Sequence, residues 1–392
     1  MSDAKTRVVV IGGGYAGVMA ANHLRLDGGV RITLVNPRPQ FVERIRLHQL
    51  VTGSDDSVVD FGTVLGDGIE LVVDTADRID AAARRVRLAS GATLDYDYLI
   101  YAVGSTGAAL TVPGAAEFAF PISEFEHGQP LRAALATAAD DAPVVVVGAG
   151  PTGMEVAAEL AEGGRRVTLV CGSVLGPYLS TAARRTAAKR FSDLGVTVVD
   201  GPGAVVTQVQ ADAVTLSDGR HLPSAVTIWT AGFGVPDLAA RSGLTTDRIG
   251  RLVTDETLTS VDDDRIVAAG DAAAPSNLPL RMSCQAAIPL GAQAANTVLS
   301  RIAGTEPKAL NQAFTGQCMS LGRGAGLIQL AHLDDRVMRW HISGRMAASI
   351  KEAVCKGTIS FLSREARKPG SYFWLKGGKR AQRVAGAGVA VS

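Results

Sequence analysis

The 392-residue sequence has only four cysteines, few aromatic residues and no long uninterrupted apolar segment. Its cysteines are scattered and form neither a C-x-x-C pair nor a spacing typical of metal ligands, so we predict no metal site and a reducing, cytoplasmic environment. No apolar run is long enough to cross a bilayer, and a strand pattern begins close to the first residue, so neither a transmembrane helix nor a signal peptide is expected. The sequence also has no recognised nucleic-acid-binding motif, and nucleic acid is not an expected partner.

Positive and negative charges are nearly balanced overall, but they are unevenly distributed along the chain. The formal net charge is +1, yet residues 336–392 carry twelve Lys or Arg and only two Asp or Glu. The remainder of the chain has 27 basic and 36 acidic residues. The sequence therefore predicts an acidic body followed by a basic C-terminal region.

The stretch RVVVIGGGYAGVMAANHL, from Arg7 to Leu24, is typical of a buried strand, a glycine-rich turn and a helix. In such a turn Gly12 permits a sharp change of direction, Gly14 lets a pyrophosphate approach the backbone, and Gly17 lets the helix pack close to the strand. The helix N-terminus adds free N–H groups and the positive end of its dipole. This stretch therefore predicts a dinucleotide-binding site.

The same pattern returns in PVVVVGAGPTGMEVAAEL, with glycines at 148, 150 and 153. The strand-like RITLV of residues 31–35 is likewise repeated by RVTLV of residues 166–170, at an almost equal offset. This duplication predicts an α/β fold with two Rossmann-like dinucleotide-binding domains and a smaller C-terminal region. We place the first domain at 1–115 and 255–320, the second at 116–254, and the C-terminal region at 321–392.

Neither second strand ends in the carboxylate that usually accepts a hydrogen bond from the adenosine ribose. Asn36 stands at the first of these positions and Cys171 at the second. Since no carboxylate follows the second strand, a 2′-phosphate would not be repelled, and Arg184 and Arg185 are candidates to pair with one. The sequence therefore leaves NADH and NADPH equally admissible.

Four motifs, GGGYAG, YDYLIYAVGS, GAGPTGME and RIVAAGDAA, resemble those of the flavoprotein superfamily with two dinucleotide-binding domains. The resemblance covers roughly residues 7–300 and is greatest to type II NADH dehydrogenases and apoptosis-inducing-factor-like oxidoreductases. It implies FAD at the first glycine turn and NAD(P)H at the second. It also implies that Asp271 binds the flavin ribityl chain and that Glu155, the one catalytic candidate, lies near the contact between nicotinamide and flavin.

The predicted FAD contacts are Gly12, Gly14, Tyr15, Ala16, Gly17, Asn36, Arg44, Gly104, Asp271, Gln285 and Ala286. The predicted NAD(P)H contacts are Gly148, Gly150, Pro151, Thr152, Gly153, Glu155, Cys171 and Gly232.

The resemblance implies an NAD(P)H oxidoreductase in which hydride passes to the flavin N5 and electrons then pass to an acceptor. A quinone is the first candidate, although Pro289 and Leu290 replace two glutamines that type II NADH dehydrogenases carry toward the quinone. The absence of a redox cysteine pair argues against a disulfide reductase. Two alternatives remain: a flavin-bearing redox sensor with slow turnover, and a reductase of a protein partner such as ferredoxin.

Within the basic region, Met346, Ile350, Val354 and Phe361 fall in one sector of a helical wheel, whereas Lys351 lies off it. We expect Gly357-Thr358 to break this helix. Residues 336–380 are a candidate for peripheral contact with the inner face of a membrane. A helix packed on the acidic body is equally admissible, and a homodimer is a further candidate.

Overall fold

A computed structural model of the chain describes residues 5–387. The strands are β1 (Thr6–Ile11), β2 (Val30–Asn36), β3 (Gln40–Val42), β4 (Val58–Asp60), β5 (Ile69–Val73), β6 (Ala76–Asp80), β7 (Arg85–Leu88), β8 (Thr93–Asp95), β9 (Tyr98–Tyr101), β10 (Thr106–Gly107), β11 (Ala119–Pro121), β12 (Pro143–Val147), β13 (Arg166–Val170), β14 (Thr197–Val199), β15 (Val206–Val209), β16 (Ala213–Leu216), β17 (His221–Pro223), β18 (Val226–Trp229), β19 (Phe233–Gly234), β20 (Leu252–Thr254), β21 (Ile266–Ala268), β22 (Ala273–Pro275), β23 (Gly316–Ser320), β24 (Gly326–Ala331) and β25 (Val337–Gly344).

The α-helices are α1 (Tyr15–Leu24), α2 (Leu47–Thr52), α3 (Phe61–Val64), α4 (Ala115–Phe118), α5 (Phe125–Thr137), α6 (Pro151–Glu162), α7 (Thr181–Asp193), α8 (Leu238–Arg241), α9 (Cys284–Ile302), α10 (Arg345–Arg367) and α11 (Arg380–Gly386). Short 3₁₀ turns cover Arg44–Arg46 and Gly270–Ala272. None of the helices within residues 5–387 is both long enough and apolar enough to span a membrane.

The first large sheet is parallel, with five strands in the order β21-β9-β1-β2-β5. Val8 and Val10 of the central strand β1 face helices α1 and α9, whereas Val9 and Ile11 face the antiparallel sheet β6-β7-β8. Because both faces are covered, β1 needs apolar residues at successive positions, which explains its run of β-branched side chains.

The second large sheet repeats this plan, with five parallel strands in the order β11-β18-β12-β13-β14. Val144 and Val146 of β12 pack against α6 and α7, and Val145 and Val147 pack against the sheet β15-β16-β17. The duplication seen in the sequence is therefore a duplication of a whole layered unit: a parallel sheet with helices on one face and a β-meander on the other.

The C-terminal region forms an antiparallel sheet, β23-β24-β25, against which α10 packs. Helix α10 runs unbroken, so the expected break at Gly357-Thr358 is wrong. Thr358 is buried, and its hydroxyl donates to the Cys355 carbonyl 2.7 Å away, which keeps the side chain satisfied inside the helix. The chain then returns to the first unit, where the buried Arg380 pairs with Glu256 at 2.8 Å.

The predicted α/β class with two Rossmann-like units is confirmed by this architecture and by the comparisons reported below. Strand β21 belongs to the first sheet although it follows the whole second sheet in sequence. The division at 1–115, 116–254, 255–320 and 321–392 stays a prediction.

Candidate functional site

The first glycine turn joins β1 to α1 and leaves open space at one of its three glycines. Gly12 has a φ of +104°, and a Cβ there would overlap the Ala102 carbonyl at the end of β9. A Cβ on Gly17 would overlap the carbonyl of Gly12, so helix and strand are in close contact there. A Cβ on Gly14, in contrast, meets no atom within 4 Å in residues 5–387. The three glycines thus have the three separate steric roles expected of a dinucleotide turn.

The second glycine turn, between β12 and α6, has the same geometry. Gly148 has a φ of +109°, and a Cβ on it would come within 2.6 Å of the Thr230 hydroxyl. A Cβ on Gly153 would overlap the Gly148 carbonyl, while one on Gly150 meets nothing within 4 Å among the described residues. Both turns therefore leave the backbone open where a pyrophosphate would approach.

A cavity of about 440 Å³ opens at the first turn and holds most of the residues predicted to contact FAD. Its lining includes Gly12, Gly14, Tyr15, Ala16, Asn36, Arg44, Gly104 and Asp271. Gly17, Gln285 and Ala286 do not line it. Gly17 is instead buried against the turn, and Ala286 is held in the first turn of α9, where its N–H donates to the Ser283 hydroxyl. Gln285 donates from its amide to the Thr315 hydroxyl at 2.7 Å.

The polar groups of this cavity fit a flavin nucleotide. Asp271 accepts a 2.7 Å hydrogen bond from the Ser105 hydroxyl through Oδ2, while its Oδ1 is buried and unpartnered among the described residues. Burial raises the pKa of Asp271. An orphaned carboxylate oxygen beside a cavity is suited to accept a hydrogen bond from a ligand hydroxyl. The fit supports a role for Asp271 toward FAD.

Two further cavity residues form hydrogen bonds with other groups of the protein. The Asn36 side-chain oxygen accepts from the Gly13 N–H at 2.9 Å, and its amide donates to the Arg38 carbonyl at 2.7 Å. Arg44 donates to the carbonyls of Ser105 and Ser123. Asn36 and Arg44 therefore shape the cavity wall as well as facing the ligand space.

The residues predicted to contact NAD(P)H surround the start of α6. Pro151 lies at the first position of this helix and, with Met154, lines a shallow depression that also includes Tyr178 and Met319. Thr152 is half-buried on the first turn of α6, and Gly232 has a φ of +85° in the loop after β18. Cys171 follows β13 next to the second glycine turn, where the Gly148 N–H donates to the carbonyl of Val170, the last residue of β13, at 2.8 Å.

Glu155 is buried on α6 and forms an ion pair with a residue of the C-terminal region. Its Oε1 lies 3.1 Å from Lys351 Nζ of α10 and accepts a hydrogen bond of the same length from the Ser320 N–H. Burial alone would raise the pKa of Glu155, but the charges of Lys351 and His48 hold it below its usual value. Conversely, burial opposes the charge of Lys351, yet the Glu155 carboxylate holds the pKa of Lys351 above its usual value.

A buried histidine of α2, His48, lies next to two carboxylates of α6. His48 Nδ1 lies 3.6 Å from Glu155 Oε2, and His48 Nε2 lies 3.4 Å from Glu159 Oε1. Burial holds the pKa of His48 below its usual value, against the opposing effect of the two carboxylates and together with Lys351 and Arg323. The cluster of Glu155, Glu159, His48 and Lys351 therefore places several titratable groups beside the second glycine turn.

Sequence reasoning missed Lys351, because it lies outside the helical-wheel sector of the apolar residues of α10 and its partner is distant in the chain. From the sequence, Cys355 was only one of four scattered cysteines. In the structure Cys355 is buried one helical turn after Lys351, and burial raises its pKa to about 11. Cys284 at the start of α9 is raised to about the same pKa by burial. A thiol with so high a pKa is a weak nucleophile at neutral pH.

Comparison with known proteins agrees with this geometry. The sequence pattern of the family described as pyridine nucleotide-disulphide oxidoreductase matches residues 6–295. An NADH dehydrogenase-like protein of Mycobacterium tuberculosis is 34% identical over 334 residues, which cover 75% of this chain and 80% of that protein. The type II NADH:quinone oxidoreductase Ndh of the same organism is 27% identical, over 77% of this chain and 74% of the relative.

Solved structures show the same fold. The sulfide:quinone oxidoreductase of the hyperthermophilic bacterium Aquifex aeolicus has a TM-score of 0.80 at 22% identity, covering 93% of each chain. NDH2 of Plasmodium falciparum, in a complex with NADH, has a TM-score of 0.73 at 15% identity and covers 95% of this chain and 100% of that one. The chain therefore belongs to the pyridine nucleotide-disulphide oxidoreductase family, and it is an oxidoreductase whose cofactors are FAD and NAD(P)H.

Proposed function

We propose that the protein oxidises NAD(P)H through FAD and delivers the electrons to a quinone at the surface of a membrane. When bound, FAD supplies the redox chemistry, accepting a hydride and passing two electrons onward. The chain holds the two nucleotides at its two glycine turns. It also places the buried cluster around Glu155 and Lys351, and an exposed apolar surface of α10, near the acceptor.

The observation that carries this proposal is the two-sided character of helix α10. Its residues Met346, Ile350, Val354 and Phe361, which we call the apolar stripe, are all exposed, Met346 to the extent of 62%. An exposed apolar stripe on a helix is typical of a surface that meets a membrane or a partner. The adjoining side of the same helix is buried and carries Lys351.

Basic and aromatic residues are also exposed elsewhere in the C-terminal region. Trp340 on β25 and Phe373 after α10 are exposed by 58% and 78%. Lys356 on α10 and Lys368 directly after it are also exposed. Cations beside apolar side chains favour an anionic leaflet, where each Lys or Arg near the surface contributes about 1 kcal/mol. This supports a peripheral position on the inner face of a membrane.

The inner side of α10 supplies a hydrogen-bond donor suited to the acceptor half of the reaction. Glu155 holds Lys351 protonated and balances its charge, and an ammonium group has three N–H donors, which a carbonyl oxygen of the acceptor can share. The Ser320 N–H donates to the same Glu155 oxygen that Lys351 contacts, so the carboxylate of the pair is held by two groups. The relatives named as NADH dehydrogenase-like and as type II NADH:quinone oxidoreductase further support this proposal.

Anaerobic stopped-flow absorbance of the FAD-loaded protein tests the proposal. The flavin is first reduced with one equivalent of NADH and then mixed with a short-chain quinone, a ferredoxin or a small disulfide. We expect fast reoxidation by the quinone, with multiple turnovers when NADH is in excess. Slow reoxidation by all three acceptors would instead support the redox-sensor alternative.

Reduction of a protein partner is the second candidate function. Rhodocoxin reductase of Rhodococcus erythropolis is 32% identical over 300 residues, covering 68% of this chain and 65% of that protein. In the experiment above, fast reoxidation by the ferredoxin and slow reoxidation by the quinone would support this candidate and contradict the first.

A further inference from the structure

The second strand of the NAD(P)H-binding unit lacks its own carboxylate, but the neighbouring strand supplies one. Strands β13 and β14 are parallel, with Val170 opposite Val199 in register. The ladder continues beyond both strands, since the Cys171 N–H donates to the Val199 carbonyl at 2.8 Å. Asp200 is therefore the register partner of Cys171.

A second backbone hydrogen bond keeps the two segments together after the strands end. The Gly201 N–H donates to the Ser173 carbonyl at 2.8 Å, so the segments 171–173 and 199–201 run side by side. Register partners on adjacent parallel strands project to the same face of a sheet, which places the Asp200 side chain beside that of Cys171. Burial, and next the Asp200 charge, raise the pKa of Cys171 to about 12, in agreement with this placement.

The two arginines that the sequence offers for a 2′-phosphate are not equivalent in the structure. Arg184 is committed to the protein, because its Nε donates to the Leu175 carbonyl at 2.7 Å and its terminal nitrogen to the Leu179 carbonyl at 3.3 Å. Arg185 is exposed on α7. The backbone therefore places the exposed Asp200 beside the end of β13, whereas one of the two candidate cations is engaged elsewhere.

We propose that Asp200 is a specificity-determining residue that makes the protein select NADH over NADPH. The end of the second strand is where a dinucleotide fold meets the adenosine ribose. A carboxylate there accepts a hydrogen bond from a 2′-hydroxyl and repels a 2′-phosphate, so it both favours one nucleotide and disfavours the other. The inference rests on the binding of the nicotinamide nucleotide at the second glycine turn and does not depend on the identity of the acceptor.

Calorimetric titration of the FAD-loaded protein tests the inference without turnover. NAD⁺ and NADP⁺ are titrated in parallel, followed by their adenosine halves, 5′-AMP and 2′,5′-ADP. For the unmodified protein we expect NAD⁺ to bind at least about tenfold more tightly than NADP⁺, because like charges placed together disfavour binding. In Asp200→Asn we expect this ratio to fall at least about fivefold.

A double variant that moves the carboxylate to the neighbouring strand tests whether its charge, and not another effect of the substitution, sets the preference. The double variant C171D/D200N moves the carboxylate to the end of β13 itself, and we expect it to restore the preference for NAD⁺. The matched control is Asp212→Asn, which removes an exposed carboxylate at the turn between β15 and β16 and should leave the ratio unchanged. Asp200→Ser serves as a second variant should the asparagine variant prove poorly folded.

Equal affinity of the unmodified protein for NAD⁺ and NADP⁺, or an unchanged ratio in both Asp200 variants, would overturn the inference. Such a result would leave the quinone proposal untouched, since NADPH can reduce the same flavin. Conversely, tight NAD⁺ binding with no electron transfer to quinone would contradict the proposed acceptor and leave the role of Asp200 intact.

Discussion

Lys351 Nζ lies 3.1 Å from Glu155 Oε1, and this buried ion pair joins helix α10 of the C-terminal region to helix α6, which follows the second glycine turn. The two residues come from separate parts of the fold, and the Lys351 side chain is 12% exposed and that of Glu155 8%. Loss of either partner leaves an uncompensated charge in a poorly solvated position. The pair therefore couples the stability of the basic region to that of the NAD(P)H-binding unit.

We predict that Lys351→Met destabilises the folded protein by about 3–5 kcal/mol at neutral pH, because Glu155 is left buried without its cation. In the unmodified protein the pKa of Glu155 is lowered, so the stability it contributes is present above its unfolded pKa and is lost as the pH falls. In the variant burial raises that pKa, so the difference in free energy of unfolding grows as the pH rises from about 4.

Urea unfolding at several pH values measures this difference. Lys356→Met is the matched control, because this exposed lysine on the same helix pairs with the partly exposed Glu352, at 3.6 Å, and should change stability by less than about 1 kcal/mol. The double variant K351M/E155Q should recover part of the loss. A difference that does not vary with pH would contradict the assigned role of Glu155.

The first glycine turn predicts opposite outcomes for two similar substitutions. Gly14→Ala should leave the fold intact, since its Cβ meets no described atom within 4 Å, but should weaken FAD binding at least about tenfold by occupying the ligand space. Gly17→Ala should prevent proper folding, because its Cβ would overlap the Gly12 carbonyl.

Flavin content after gel filtration and thermal melting of the flavin-free protein check both expectations. Gly28→Ala is the control, since a Cβ there also meets no described atom within 4 Å and the residue does not line the cavity. Full flavin retention by Gly14→Ala would show that no phosphate approaches this part of the turn.

Asp271 should make FAD binding dependent on pH. Burial raises the pKa of its carboxyl in the ligand-free protein, so the group takes up its proton at a higher pH than an ordinary aspartate does. A ligand hydroxyl that donates to Oδ1 favours the ionised form, so FAD affinity should increase as the pH rises through this pKa. Fluorescence titration with FAD from pH 5 to 8 measures the trend.

Asp271→Asn removes the titrating group and retains its shape. We expect weaker FAD binding with most of the pH dependence removed. If FAD binding by this variant depends on pH as it does in the unmodified protein, a group other than Asp271 causes the dependence.

The apolar stripe should control attachment to membranes. We expect the triple variant M346Q/I350Q/V354Q to bind anionic phospholipid vesicles at least about tenfold more weakly than the unmodified protein, because each apolar side chain withdrawn from water stabilises the attached state. Vesicle sedimentation at low and high salt measures attachment, and salt should weaken the contribution of the lysines. Neutral vesicles provide the comparison for charge.

A control variant carries glutamine at Val73, Val205 and Val261, which are exposed apolar residues of the body. This variant should bind vesicles as the unmodified protein does. If the stripe variant instead dissociates a dimer and leaves vesicle binding unchanged, a second copy of the chain covers the stripe.

Local steric rules explain why the two glycine turns could be predicted from sequence. Gly12, Gly17 and their counterparts Gly148 and Gly153 act on backbone atoms only a few residues away or at the end of a neighbouring strand, so their spacing alone carries the information. The strands RITLV and RVTLV were likewise found as β2 and β13.

The partners that assemble around Glu155 could not be predicted in the same way, because they depend on packing between distant elements. The helical wheel showed that Lys351 lies off the apolar stripe, and the expectation that apolar residues face inward would have placed it in solvent. In the structure the stripe is exposed and Lys351 is turned toward Glu155. Asp200 was missed for a related reason, since its relation to Cys171 exists only once β13 and β14 are paired in register.

The late position of β21 has a consequence for biosynthesis. Strand β9 is already made when the first sheet forms, but its neighbour β21 follows only after the entire second parallel sheet has been translated. At 5–20 residues per second, the edge of β9 stays unpaired on the ribosome for on the order of ten seconds or more. An unpaired strand edge is prone to aggregation, so nascent chains stalled before residue 266 should be a preferred substrate for chaperones.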